Sequence, residues 1–273
     1  MELDKQEQHN LEQIQDLNQR GGRMLSMVDL LTAGTVDCRL AAFFMLTQRA
    51  DMSFLTAANP SGTGKTTLMG ALLNLLKPGI EIRTLTGREN ISELRPGQKG
   101  RRYLVHELGT GPYYSYLWGQ EAANFFHLGE RGSLASCLHA DTLPELKQDI
   151  LGPDLNINEE TLHHVDLIVF MKKYGSGFKV RRRVTEVYGL CSRDGEYRLL
   201  YDRPKEREAL VETEFGEQFL AREVTPRTGA GLNDIKNFLA RGTDFWDKMK
   251  AEGASKLPGV RTRVLEFYKN EDT

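Results

Sequence analysis

The stretch richest in chemistry is Ala58-Asn59-Pro60-Ser61-Gly62-Thr63-Gly64-Lys65-Thr66-Thr67, set between an apolar run, Phe54 to Ala58, and a leucine-rich helical pattern from Leu68 to Leu76. Strand, glycine loop and helix in that order make an anion cradle. Backbone N–H groups close on a phosphate only where side chains are small, and a helix N-terminus adds a dipole that favours negative charge. Gly62 and Gly64 allow the close approach. Lys65 is placed to reach β- and γ-phosphates as a point charge, and the Thr66 hydroxyl to ligate Mg²⁺. Asn59, Ser61, Thr63 and Thr67 complete the loop. The motif usually opens with glycine where Asn59 stands; asparagine tolerates left-handed backbone better than most residues, so the turn is still expected to form. These residues imply nucleotide binding and leave hydrolysis open.

A second element to position is Arg102-Tyr103-Leu104-Val105-His106-Glu107, an apolar run ending in an acid. It reads as a buried strand that delivers the Glu107 carboxylate beside the phosphate loop. Ser133 to Leu138 reads as another short strand, ending at His139-Ala140-Asp141. Thr142-Leu143-Pro144-Glu145 then forms a capping box with proline in the first turn, so a helix begins just after His139. Strands alternating with helices imply a parallel three-layer α/β sheet with its ligand at the C-terminal strand ends.

The 273 residues, 40% hydrophobic and 27% charged, suit one large core, or one core with a small appendage. A formal net charge of -2 gives no global attraction for nucleic acid, so such a contact would need a local patch. No apolar run approaches membrane-spanning length, and the polar start Met1 to Arg20 does not read as a secretory signal; a cytoplasmic protein is expected. Cys38, Cys137 and Cys191 lie far apart, without the spacing of a disulfide framework or zinc site.

Within residues 3–20, Leu11, Ile14 and Leu17 are spaced three apart and predict a helix in need of a partner surface. Met24 to Leu31 and Cys38 to Thr47 read as better-buried helices. Glu81 to Thr86 alternates as a strand, Gly87 to Arg102 is a basic loop, and Leu108 to Leu117 is a glycine and aromatic loop before a helix from Trp118 to Leu128. Asp166 to Met171, a turn at Tyr174-Gly175-Ser176-Gly177 and a strand to Leu190 make a hairpin. Lys179, Arg181, Arg182 and Arg183 crowd its second strand, where a solvated face is the first reading and contact with a neighbouring subunit or nucleotide the second. Gly195 turns into a further strand, Tyr197 to Tyr201. From Pro204 the pattern is charged and helical.

From Met52 to Leu190 the chain resembles the secretion ATPases, the hexameric motors of type II and type IV secretion, type IV pili and archaeal surface filaments. The most diagnostic segment is Gly119 to Asp141, which is similar to the family's helix, glycine and histidine-box region; the hairpin from Asp166 through Val187 resembles its closing strands. The resemblance implies a P-loop NTPase, a RecA-like three-layer α/β sandwich, with an N-terminal helical segment at 1–50, an ATPase core at 51–203 and a small helical C-terminal tail at 204–273. It implies ATP and Mg²⁺ as ligands. Glu107 takes the place of the Walker B glutamate, orienting or deprotonating water, and His139 that of the histidine which senses the γ-phosphate. A homo-hexamer at the cytoplasmic face of a membrane secretion or pilus platform follows, with no direct nucleic-acid partner.

Several positions depart from the family pattern. Only Glu89 is acidic where the family has an acidic box, and Leu108-Gly109-Thr110 stand where an arginine usually follows the glutamate. The region before Asp51 is short for the family's N-terminal domain, so the second wall of the site is expected to be absent or supplied by another protein. Arg95, Arg101 and Arg102 offer an arginine finger or a solvated loop. Two rivals remain: a nucleotide-gated regulatory or assembly subunit that turns over poorly, and a DNA-translocating ATPase. The second would want basic residues among Tyr113, Tyr114, Tyr116 and Trp118, and none interleaves them.

Overall fold

The computed structural model describes residues 3–18, 21–204 and 209–271. Three helices come first, α1 (Lys5–Asp16), α2 (Met27–Thr32) and α3 (Cys38–Arg49), followed by β1 (Phe54–Ala57), α4 (Lys65–Leu73), β2 (Glu81–Thr84) and β3 (Arg101–Leu104). Next are β4 (Glu107–Leu108), β5 (Tyr116–Leu117), α5 (Gly119–His127), β6 (Ser133–Leu138), α6 (Leu143–Ile150) and α7 (Glu159–Leu162). The chain closes with β7 (Leu167–Tyr174), β8 (Arg181–Cys191), β9 (Glu196–Asp202), β10 (Val211–Glu212), α8 (Phe215–Phe219), α9 (Thr225–Thr228), α10 (Leu232–Glu252) and α11 (Leu257–Glu271). Helix starts follow cap chemistry: the Asp4 and Asp37 carboxylates accept from Glu7 and Leu40 backbone N–H, each at 2.8 Å.

The strands form one mixed sheet in the order β10-β9-β8-β7-β1-β6-β3-β2, with β4 joined to β6 and β5. From β2 to β7 the neighbours are parallel; β7 to β10 are antiparallel. β1 lies between β6 and β7, so the strand feeding the glycine loop is flanked on both sides. Its four residues are all buried, as expected of a strand covered on both faces. Alternation along β7 separates two cores: Leu167, Val169 and Met171 join Ile14, Phe43, Leu72 and Trp246 on one face. Ile168 and Phe170 join Phe125, Phe126, Leu146 and Leu162 on the other. Helices therefore cover both faces.

The acid-ended strand is shorter than its sequence suggests. β3 stops at Leu104, Val105 still donates to Ala135 O at 3.0 Å, and Glu107 belongs to the separate two-residue strand β4, in register with Tyr116. Among the described residues after Pro204, the first element is not a helix but β10, which pairs with β9.

The first and last helices meet behind α4. Trp246 and Tyr268 are buried in the same core as Phe54, and the Tyr268 hydroxyl lies within hydrogen-bond reach of Met45 O at 2.8 Å and Leu75 O at 2.6 Å. Arg261, 2% exposed, grips Glu7 through Nε at 2.6 Å and Nη2 at 2.7 Å. Its Nη1 donates to the carbonyls of Asn74 and Leu76, just past the end of α4, where a cation also complements the helix dipole. Removing one member of a buried pair leaves the other uncompensated. Glu7→Gln should therefore destabilise the chain by about 3 kcal/mol, read from the urea midpoint; a loss under about 1 kcal/mol would show that water replaces the partner.

Candidate nucleotide-binding site

β1 ends at Ala57, and α4 starts at Lys65 with Gly64 as its N-cap at φ 103°. Gly62 is also left-handed, at φ 81°. A side chain at either place would be strained. Thr63 Oγ1 donates to Pro60 O at 2.5 Å, and Thr56 Oγ1 to Lys65 O at 3.2 Å, tying the loop to itself and to its strand. The loop floors a cavity of about 570 Å³ that Ser61, Thr66 and Thr67 border, a size typical of small-molecule sites.

Lys65 is 6% exposed, and its ammonium donates to Ala58 O at 3.2 Å. The same Nζ is 3.2 Å from His139 Nε2, which is 3.1 Å from Glu107 Oε1. The three residues singled out for catalysis thus converge, although they come from the start of α4, the end of β6 and β4. The other imidazole nitrogen, Nδ1, lies 2.9 Å from Asn59 Oδ1. Asn59 Nδ2 donates to Glu145 Oε1 at 3.3 Å, which aims the amide oxygen at the ring.

Asn59 does not use a left-handed backbone: its φ is not among the positive values, and Asn59-Pro60 is cis. Its value is in its side chain. The α6 cap is likewise altered. Thr142 Oγ1 accepts from Glu145 N at 3.3 Å, but the Glu145 carboxylate accepts from Asp141 N at 2.7 Å, and Asp141 Oδ1 accepts from Asn59 N at 2.9 Å. The capping residues therefore hold the loop and the histidine together.

Cys137, fully buried on β6, stands between Thr66 Oγ1 and Glu107 Oε2, each 3.8 Å from its sulfur, and donates to His106 O at 3.0 Å. Burial, and then the Glu107 charge, push its thiol up to about 12. The Tyr116 hydroxyl is pushed to about 12 for the same two reasons. Both groups stay protonated at neutral pH, leaving Glu107 without thiolate or phenolate competitors.

Other expectations fall away from the cavity. Arg102 is fully buried, bonded to Asp51 at 3.1 Å and Leu134 O at 3.3 Å, and lies over the Phe54 ring. Arg101 pairs with Glu81 at the N-terminal ends of β3 and β2, opposite the loop. Neither borders this chain's own cavity. Glu89 closes its own turn by accepting from Thr86 N at 2.9 Å and Thr86 Oγ1 at 2.7 Å. Where the sequence leads to a second wall absent or supplied by another protein, Leu17, Arg23, Met24 and Thr35 of this chain border the cavity. So does Arg182, which is exposed, as the solvated reading of its strand expects; its Nε donates to Gly62 O at 2.9 Å.

No protein-family model and no curated protein matches the chain. Among solved structures it is similar to the VirB11 ATPase of the Brucella suis type IV secretion system in complex with sulphate. Identity there is 18% and the TM-score 0.40, over 54% of this chain and 51% of that one. It is also similar to the DotB ATPases of Yersinia pseudotuberculosis (7% identity, TM-score 0.39, 82% and 60% covered) and Legionella pneumophila (14%, 0.38, 79% and 60%). The matched part spans between about half and three fifths of those chains.

Asn59→Gly restores the residue usual at that place in a phosphate loop, yet it deletes two side-chain hydrogen bonds. It should lower stability by about 1–2 kcal/mol in thermal melts and weaken nucleotide binding. A variant as stable as the parent would show that the amide does not hold His139.

Proposed function

We propose that the chain binds ATP with Mg²⁺ and hydrolyses it as the motor of a secretion- or pilus-type machine. The observation that carries this reading is the convergence of Lys65, His139 and Glu107 at the mouth of the glycine loop, with 3.2 Å and 3.1 Å between successive groups. A buried ammonium beside loop N–H groups suits a terminal phosphate, Glu107 can take a proton from an attacking water, and His139 touches both. His139 also ends β6 just before α6, so a changed contact at its ring would pull on that helix. Thr66 Oγ1 and Glu107 Oε2, each 3.8 Å from the protonated Cys137 thiol, are the hard oxygen donors that would hold a divalent cation. Mg²⁺ bound there would neutralise charge on the phosphate oxygens.

By its sequence resemblance the protein would work as a homo-hexamer, cytoplasmic, at the inner face of a membrane platform protein; no described helix is long and apolar enough to cross a membrane. A second reading, a nucleotide-gated regulatory or assembly subunit with weak turnover, is favoured by one feature. Leu108 and Gly109 follow Glu107 where an arginine would add charge at the transition state.

Lys65→Ala should abolish tight ATP binding in calorimetry, whereas Glu107→Gln should bind ATP and lose turnover by about a hundredfold or more. Parental hydrolysis by the glutamine variant would leave Glu107 a structural role. In light scattering, Mg·ATP should promote a ring the size of a hexamer; a monomer at high concentration with Mg·ATP would favour the regulatory reading.

A further inference from the structure

The hairpin β7–β8 brings an unassigned cation to the loop. Arg182 stands opposite Lys173 in the antiparallel register, one residue from the start of the strand pairing. Its side chain crosses the glycine half of the phosphate loop: besides the bond to Gly62 O, a Cβ on Gly64 would lie 3.2 Å from Arg182 Cδ and 3.5 Å from Met171 Cε. No carboxylate among the described residues pairs with this guanidinium. The next residue is committed elsewhere, since Arg183 Nη1 donates to Ala33 O at 2.9 Å.

Resting on the nucleotide-site reading above, we propose that Arg182 is a second phosphate-binding cation, supplied by the same chain to the α- and β-phosphates of the nucleotide. A diphosphate brings more negative charge than Lys65 alone balances. A guanidinium is charged at every working pH, and its planar fork matches phosphate oxygens. Its Nε donates to a neutral partner, the Gly62 carbonyl; a phosphate oxygen offers a charge-assisted bond about twice as strong, so exchange is downhill. The glycine segment cradles the α- and β-phosphates, while Lys65, His139 and Glu107 gather at the γ end. Arg182 therefore acts on ADP and ATP alike, and its movement off Gly62 couples the hairpin to occupancy of the site.

The test is calorimetric titration of ADP and a non-hydrolysable ATP analogue into the full chain, its Arg182→Ala and Arg182→Lys variants, and Lys172→Ala. Lys172 lies on the same hairpin with Nζ 3.8 Å from Glu186, so its substitution controls for bulk charge. Arg182→Ala should weaken ADP and the analogue equally, by about tenfold, with the lysine variant intermediate and Lys172→Ala near the parent. A parent that binds while Arg182→Ala binds as tightly overturns the proposal and spares the nucleotide site. A loss confined to the ATP analogue, or matched by Lys172→Ala, also overturns it. A parent that binds neither nucleotide removes both readings.

Discussion

A buried ammonium is the constraint around which this site is built. Lys65 sits at the N-terminus of α4, where the helix dipole disfavours a cation, and almost no solvent reaches it. Such a charge persists only with partners. The structure supplies the Ala58 carbonyl and the His139 ring, and behind that ring the Glu107 carboxylate. Asn59, Glu145 and Asp141 then hold the ring and the loop in register. An anion at the cradle would meet a lysine already stripped of water, so little reorganisation stands between binding and a strong charge interaction.

The scaffold holds this arrangement from the far side. β1 is the buried strand between β6 and β7, so the loop starts from a position fixed by two ladders, and His139 leaves the end of one of those neighbours. α4 is held at its other end by Arg261, which also binds Glu7 of the first helix. The terminal helices thus set the axis of the helix whose N-terminus faces the cavity, although neither supplies a catalytic group. Residues between α1 and α3 additionally wall the cavity.

The chain's local patterns told most elements of the fold, and the loop motif told where a glycine turn would meet a helix N-terminus, because both rest on spacing within a few residues. Partners that meet only through tertiary packing were not legible. Asn59 looked like a backbone substitute for glycine, but its role depends on His139 and Glu145, some 80 positions away in the sequence. Arg102 looked exposed in a basic stretch and is instead in the core, because Asp51 and the Phe54 ring receive it. Arg182 looked like one of several cations on a solvated strand. Only the hairpin's register and the closeness of two side-chain-free residues show that it covers the loop. In each case the local signal gave the residue's charge or polarity, and its partner came from a distant part of the chain.

The central claim is that Lys65, His139 and Glu107 form the γ-phosphate end of a nucleotide site. A crystal structure with Mg²⁺ and a non-hydrolysable ATP analogue tests it most directly. The account predicts the triphosphate along the glycine loop, its terminal phosphate within about 3 Å of Lys65 Nζ and the His139 ring. An analogue bound elsewhere, or one in the loop with Lys65 still held by Ala58 and His139 and no contact to its phosphates, would contradict it.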